Sequence, residues 1–299
     1  MIIDYNFRVA GFILCLHVHQ EIDIDSMLPS FVPFRCDDGK QEEKLLDLTL
    51  LPAGESLPDV PVALVEEVSS GMGMMRLYST ADGSMYRLKI GRSTGVFSNE
   101  MESSADFSVS RAVVDMDDAN AGQVIGLMLR MAFAQAALLR SAVMIHASAV
   151  HVDGRAYLFM GRSGTGKSTH AALWQKAVPH CALLNDDSPI VRIVGGVAVA
   201  YGSPWSGKTP CYKDLSFPIG GMVRLRQSSE NRFFKREGVD AFVALYPGCS
   251  VISSDRRLYD SLCDTLARLA VLVPVATLDC RPDTDAALLC LHKLNDSRI

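Results

Sequence analysis

The stretch Gly161–Ser168, GRSGTGKS, constrains the fold of this chain more than any other part of its 299 residues. It has the form G-x-x-x-x-G-K-S, in which small residues let the backbone amides turn toward a bound phosphate. Such a loop works between a strand and a helix that begins at the Lys. The sequence supplies both, since the apolar run AYLFM precedes the loop and the helical pattern KSTHAALWQKAV overlaps its end. The segment therefore predicts a phosphate-binding loop in an α/β fold.

Each position of this loop suggests a role in holding a nucleoside triphosphate. The Lys167 ammonium suits the β- and γ-phosphates, and the Ser168 hydroxyl suits a magnesium ion. We therefore expect ATP and Mg²⁺ as cofactors. The predicted nucleotide-binding residues are Gly161, Arg162, Ser163, Gly164, Thr165, Gly166, Lys167, Ser168 and Thr169.

The same pattern recurs in GSPWSGKT, residues 202–209, but there it lacks the right surroundings. Pro204 has no amide proton, Trp205 is bulky where a cradle needs small residues, and Pro210 stops a helix from following. We therefore predict one nucleotide site and a different role for the later loop. One alternative is a tight turn with a packed aromatic ring and an exposed Lys. The other is substrate contact by Trp205, Ser206, Gly207 and Lys208.

Two adjacent carboxylates follow the loop in sequence. The run LLNDD ends an apolar strand with Asp186 and Asp187, where a group that holds Mg²⁺ is expected after a phosphate loop. Adjacent acids at the end of a strand are also common as solvated turn residues. The preceding loop favours the functional interpretation.

The chain changes character near residue 115, and we predict two regions, 1–115 and 116–299. The first is predicted to be β-rich, with strands in VAGFILCLHV, PVALVEEV, MMRLYST and MYRLKIG and polar loops in CDDGKQEEK and FSNEMESSADFS. The second alternates strands and helices, with hairpin turns at Asp153–Gly154 and Gly195–Gly196. The predicted fold class is α/β with a mixed sheet, a P-loop domain preceded by a smaller β-rich region.

Composition narrows the functional classes. A net charge of −5 argues against a nucleic-acid partner. The apolar segment 123–145 is interrupted by Gln123, Arg130, Gln135 and Arg140, which predicts a largely buried helix and no membrane span. Eight scattered cysteines without a C-x-x-C pair suit reduced thiols, and no signal peptide is recognised, so we expect a cytoplasmic protein. The oligomeric state stays open, a homo-oligomer included.

Three stretches resemble the HPr kinase and phosphoenolpyruvate carboxykinase superfamily: IHASAV, GRSGTGKST and LLNDD. The resemblance covers residues 140–210 well. It implies that Asp186 is the base that deprotonates an acceptor hydroxyl and that Asp187, with Ser168, belongs to the metal site. His146 matches a histidine that binds metal in the carboxykinases and lies beside the catalytic acid in the kinases, and both roles stay open. The implied catalytic set is Asp186, Lys167 and His146.

The sequence also departs from that superfamily. YGSPWSGK stands where HPr kinases carry a Glu–Arg pair in a Gly-rich signature, and the oxaloacetate-binding residues of the carboxykinases have no clear equivalent. We therefore expect an ATP- and Mg²⁺-dependent kinase whose acceptor is a hydroxyl of a peptide, a protein or a small metabolite. The alternatives are a non-catalytic nucleotide sensor and, further off, a carboxykinase-type or ATPase activity.

Overall fold

The chain divides into two compact units. The first comprises Met1–Leu139 and Ile252–Arg256, and the second comprises Arg140–Val251 and Arg257–Ile299. The computed structural model describes residues 2–19, 22–37, 42–70, 73–91 and 96–296. Each unit contains its own sheet with parallel and antiparallel neighbours, so the fold is mixed α/β.

The first unit is built on an eight-stranded sheet. Its elements are β1 (Ile3–Val9), β2 (Phe12–Val18), α1 (Ile24–Met27), β3 (Glu43–Leu50), β4 (Ala63–Ser70), β5 (Gly73–Ser79), β6 (Met85–Gly91), β7 (Phe97–Ser104), β8 (Val109–Val113) and α2 (Ala121–Leu138), with a 3₁₀ turn at Pro29–Phe34. The strand order is β1-β2-β3-β8-β7-β6-β5-β4. The pairs β2–β3 and β3–β8 are parallel, and the other neighbours are antiparallel.

Two sequence predictions for this unit were wrong. The run VAGFILCLHV is not one strand, because Ala10 and Gly11 form a turn at φ 53° and 73° and start a hairpin between β1 and β2. The run FSNEMESS, predicted as a polar loop, forms β7. Its inward residues include Asn99 and Ser103, and Ser103 hydrogen bonds Ser110 through their hydroxyls at 2.8 Å. Of the loop predicted in CDDGKQEEK, residues 38–41 lie outside the described residues.

Helix α2 is the apolar helix expected from the sequence. By length and composition alone it is long and apolar enough to cross a membrane, and 61 % of it is buried in the structure. It lies against β3 and β7 of the first unit. The ring of Phe133 meets that of Phe12 edge-on, with centroids 6.3 Å apart.

The second unit carries a nine-stranded sheet and the remaining helices. Its elements are β9 (Ala142–Met144), β10 (Ala147–Val152), β11 (Arg155–Met160), α3 (Lys167–Ala177), β12 (Ala182–Asp187), β13 (Ile190–Val194), β14 (Val197–Tyr201), β15 (Ser216–Gln227), β16 (Arg232–Arg236), α4 (Gly238–Leu245), α5 (Arg256–Leu272), β17 (Val275–Cys280) and α6 (Thr284–Asp296), with a 3₁₀ turn at Tyr246–Gly248. One path through the sheet is β12-β10-β11-β15-β14-β13-β9, and β17 pairs with β15 and β16.

Local chemistry explains how this unit brings its central strands together. Asp153 and Gly154 both have positive φ, 50° and 72°, as the tight turn between β10 and β11 requires. Both predicted hairpins are confirmed by the antiparallel pairs β10–β11 and β13–β14. Trp174 of α3 is fully buried, with its ring centroid 4.9 Å from Tyr157 and 5.1 Å from Phe159 of β11. This packing holds α3 against β11.

Candidate functional site

The loop 161–166 joins β11 to α3, as the motif requires. Gly164 and Gly166 have φ of 79° and 102°, in the region where residues with a Cβ are strained, and Gly166 caps α3. The Thr165 hydroxyl donates to the Arg162 carbonyl at 2.6 Å and tightens the bend. The loop and the first turn of α3 open onto a cavity of about 350 Å³. Because this turn also carries unpaired helix amides, the cavity suits an anion.

Lys167 lines this cavity, and its ammonium group makes three hydrogen bonds. Its Nζ donates to the carbonyls of Gly161 and Arg162 at 3.1 and 3.3 Å, and to His146 Nε2 at 3.0 Å. Burial lowers the pKa of Lys167, while the charges of Asp187 and Asp186 oppose that shift. The ammonium is thus held where a phosphate chain on the loop would meet it.

His146 links Lys167 to one of the two acids. An ammonium only donates hydrogen bonds, so His146 Nε2 accepts and its Nδ1 carries the proton. Nδ1 donates to Asp187 Oδ1 at 3.0 Å. His146 follows β9, and its backbone amide donates to the Gly248 carbonyl at 2.6 Å. This hydrogen bond fixes the backbone of His146. The geometry therefore defines the tautomer of the imidazole.

Asp186 is the buried acid of the pair, at 3 % exposure. Its Oδ1 accepts from Ser168 Oγ at 2.8 Å and also from Ser148 Oγ. Ser148 lies opposite Asp186 in the register of β10 and β12. The carboxylate is thereby fixed against the first turn of α3.

Asp187 is partly exposed and sits in an unusual backbone conformation. Its φ is 128°, which is uncommon for any residue other than glycine and marks local strain. Ser188 Oγ donates to Asp187 Oδ2 at 2.7 Å. The backbone of Ser206 forms a β-bridge with Asp187, and this bridge brings the later loop to the edge of the cavity.

The later loop, residues 202–209, is tied to β12 and forms no second phosphate cradle. Asn185 is fully buried, and its Nδ2 donates to the carbonyls of Ser203 and Trp205 at 3.3 and 3.1 Å. The Gly207 amide donates to the Asp186 carbonyl. No helix follows the loop before β15 in the described chain. Trp205 is only 7 % exposed, whereas Lys208 is exposed at the cavity.

The structure brings most of the predicted site residues together around one cavity. The described residues that line it are His146, Ser163, Gly164, Gly166, Lys167, Ser168, Thr169, Asp186, Asp187, Gly207 and Lys208. The lining does not include five of the predicted residues, namely Gly161, Arg162, Thr165, Trp205 and Ser206. Gly161 and Arg162 face Lys167 through their carbonyls, and Ser206 Oγ donates to the Asp186 carbonyl at 3.0 Å.

Ser148 and Asn185 contact the site but were not among the predicted site residues. A signal for Ser148 was present, since it lies two residues after His146 in IHASAV, the spacing that places side chains on one face of a strand. Asn185 immediately precedes the acids in LLNDD, and in a strand its side chain lies on the opposite face from that of Asp186. The arginines of β15 and the first residue of β16 do not line the cavity: Arg226 pairs with Asp279, Arg232 pairs with Glu230, and Arg224 donates to the Ala244 carbonyl.

The oxygens of Ser168 and Asp186 fit a magnesium ion. Mg²⁺ prefers hard oxygen ligands and commonly takes one or two carboxylates, with phosphate and water completing its shell. The hydroxyl and the carboxylate lie 2.8 Å apart at the cavity, and so fit such a shared site. No group of three or more His, Cys, Asp or Glu suited to a metal occurs within the described residues. An ion here would therefore depend on the phosphates for further ligands.

Comparison with known proteins assigns neither a family nor an activity to the chain. No family model matches the chain, and no curated protein matches it. Among solved structures, the HPr(Ser) kinase/phosphatase from Coxiella burnetii is similar over 52 % of this chain and 90 % of that chain, at 10 % identity and a TM-score of 0.32. A likeness this distant assigns no activity to the chain.

Proposed function

We propose that this protein is an ATP- and Mg²⁺-dependent phosphotransferase that acts on a hydroxyl group of a peptide, a protein or a small metabolite. The observation that carries the proposal is the convergence of Lys167, Ser168 and both acids on one cavity at the start of α3. Phosphoryl transfer needs mainly positioning and charge compensation. The cavity offers loop amides and an ammonium for the phosphates, and a carboxylate for the acceptor proton.

In this proposal Ser168 and Asp186 hold the metal. Their contact at 2.8 Å supports a shared ion better than the pairing of Ser168 with Asp187 that the resemblance implies. When bound, the magnesium ion would offset charge on the β- and γ-phosphates. Ser148 holds Asp186 in the required orientation by donating to the same oxygen.

Asp187 then becomes the proton acceptor, exchanging roles with Asp186. A general base has to be within reach of the acceptor hydroxyl. Asp187 is partly exposed, whereas Asp186 is buried. The hydroxyl oxygen attacks the γ-phosphorus while its proton passes to the Asp187 carboxylate, and the bond between the γ-phosphorus and the bridging oxygen breaks to release ADP. His146 Nδ1 orients this carboxylate by its hydrogen bond.

Replacement of Lys167 tests nucleotide binding directly. We expect Lys167→Ala to weaken ATP binding by about tenfold or more, because the phosphates lose their main cation and a charge-assisted bond. The ATP-induced rise in melting temperature should disappear with it. Lys176→Ala, an exposed Lys in the last turn of the same helix, is the matched control and should leave the rise intact. An unchanged rise in Lys167→Ala contradicts the proposal.

Transfer needs a separate assay. Incubation with γ-labelled ATP and a cell extract should place label in a metabolite, peptide or protein, and Lys167→Ala should not. Tight ATP binding without transfer or turnover would favour a nucleotide sensor, and release of labelled phosphate independent of any acceptor would favour an ATPase.

A further inference from the structure

A second cavity lies against the same loop. It has a volume of about 290 Å³ and shares Gly164, Gly166 and Thr169 with the phosphate cavity. The side chain of Gln227, at the end of β15, donates to the Gly164 carbonyl at 3.2 Å and connects the far wall to the loop. A ligand whose phosphates lie on the loop therefore has a second, contiguous space beside it.

The walls of this second cavity suit a flat, mostly apolar group. Leu173 of α3 and Leu225 of β15 supply apolar surface, and Thr169 and Ser228 supply hydroxyl groups. Small-molecule sites typically combine apolar walls with a few placed polar groups. Among the described residues that line the cavity there is no Asp or Glu.

His170, which also lines this cavity, is a buried donor without an acceptor. The indole N–H of Trp174 donates to His170 Nε2 at 3.1 Å, and an indole only donates, so the imidazole proton resides on Nδ1. Nδ1 has no hydrogen-bond partner among the described residues, and the side chain is 2 % exposed. A buried N–H without an acceptor destabilises the protein, so a ligand atom that accepts from this N–H contributes to binding affinity.

We propose that the second cavity takes the purine base of the nucleotide, with a ring nitrogen of the base accepting from His170 Nδ1. This inference rests on the proposed nucleotide-binding function and adds the place where the base of the nucleotide binds. The base would lie between Leu173 and Leu225 while its phosphates extend across Thr169 onto the loop.

The chemistry of the walls favours adenine over guanine. Guanine presents N–H donors on its Watson–Crick edge and amino group, which a carboxylate commonly accepts, and no described carboxylate lines this cavity. A buried donor of the ligand that meets no acceptor lowers affinity strongly. Adenine has no ring N–H, so its amino group is its only donor, and each of its free ring nitrogens can accept from His170.

Calorimetry on the full chain tests the inference with three probes: ATP, GTP and inorganic tripolyphosphate, each with Mg²⁺. We expect ATP to bind about tenfold or more tighter than tripolyphosphate and tighter than GTP. The Trp side chain of Ser228→Trp fills the cavity. This variant should bind ATP only as tightly as it binds tripolyphosphate, and its affinity for tripolyphosphate should equal that of the unmodified protein. Ser229→Trp is the matched control, because Ser229 is the exposed neighbour that does not line the cavity, and it should preserve the preference for ATP. His170→Phe should reduce that preference by about tenfold without changing tripolyphosphate binding.

The possible outcomes separate the two proposals. Equal affinity for ATP and tripolyphosphate in the unmodified protein, or a preference that survives Ser228→Trp, overturns the assignment of the base cavity but leaves the phosphate site standing. If tripolyphosphate and ATP both fail to bind, the proposed function itself fails. A preference for GTP contradicts the choice of adenine.

Discussion

Asp186 and Asp187 are neighbours in sequence, but their surroundings give them different capacities. Asp186 is buried and accepts from two serine hydroxyls at one oxygen, so its position is fixed. Asp187 is partly exposed, faces His146, and holds a φ of 128° that costs about 1–3 kcal/mol for a residue with a Cβ. Such strain persists where the surrounding structure enforces it, and it clusters at functional sites. The residue that the fold strains is also the more exposed of the two acids, and in the proposed reaction it takes the proton of the acceptor hydroxyl.

Exchanging each carboxylate for an amide distinguishes their roles. We expect Asp187→Asn to bind ATP normally in the presence of Mg²⁺ but to transfer label about 10²–10⁴-fold more slowly, because the base is lost. Asp186→Asn should instead lose the part of ATP affinity that Mg²⁺ provides. ATP titrations with and without Mg²⁺, together with the labelling assay, measure both effects. Asp240→Asn, an exposed carboxylate of α4, is the control. The resemblance in sequence implies the reverse pattern, and finding it would contradict the exchange of roles.

At the scale of elements, local signals were predicted well and cross-strand pairing was not. The tight turns at Asp153–Gly154 and Gly195–Gly196 are encoded in adjacent residues, and both hairpins are confirmed. Strand β7 was missed because its polar residues are paired with side chains of the neighbouring strands β6 and β8. Glu102, for example, pairs with Arg87 of β6 and Arg111 of β8. Polarity alone therefore indicated a loop.

In the site, too, contiguous motifs were predicted from the sequence, whereas contacts between separate strands were not. The phosphate loop and the two acids are contiguous patterns, and the structure gathers them as the sequence suggested. The contact of Ser148 with Asp186 depends on the register between β10 and β12, which no local pattern specifies. Asn185 holds the later loop through carbonyls 18 and 20 residues away. The sequence could therefore place Ser148 on the same face as His146, but it could not pair Ser148 with Asp186.

Strands β1 to β3 carry a pH-sensitive cluster. His17 of β2 contacts Asp4 of β1 through Nδ1 and Asp47 of β3 through Nε2, each at 2.8 Å, and Lys44 also contacts Asp47. Burial acts to lower the pKa of His17, but the hydrogen bonds to Asp4 and Asp47 outweigh it, so the pKa is raised above 6.5. A raised pKa means that protonated His17 stabilises the fold.

The stabilisation by His17 should be complete below about pH 6.5 and lost as the pH rises through the higher folded-state pKa. Hydrogen exchange of the β1 and β2 amides, measured between about pH 5 and about pH 9 after correction for intrinsic rates, reports this loss. We expect His17→Gln to weaken protection by up to about 1 kcal/mol at the acidic end and by less at the alkaline end. His19→Gln is the control for the second His of this segment. A difference that grows with pH would contradict the cluster.

On the scale of the whole molecule, the first unit is assembled from two distant parts of the chain. The segment Ile252–Arg256 belongs to it together with Met1–Leu139. Tyr86 Oη donates to Asp255 Oδ2 at 2.8 Å, and the Ile252 amide donates to Gln135 Oε1 at 3.0 Å. The sequence places a border near residue 115, where composition changes. A contact between residues 117 positions apart leaves no trace in composition.

Gln135 tests this assembly, because it interrupts an apolar helix for a structural reason. Its side chain is 2 % exposed and supplies the acceptor for the buried Ile252 amide. We expect Gln135→Leu to lower the free energy of unfolding by about 1–3 kcal/mol, since an N–H is left without a partner. Urea unfolding measures the loss, and faster hydrogen exchange at the Ile252 amide should accompany it. Gln123→Leu makes the same change at an exposed position of the same helix and should stay within about 0.5 kcal/mol of the unmodified protein. If the two variants are equally stable and the Ile252 amide stays protected in both, the hydrogen bond does not hold the two segments together.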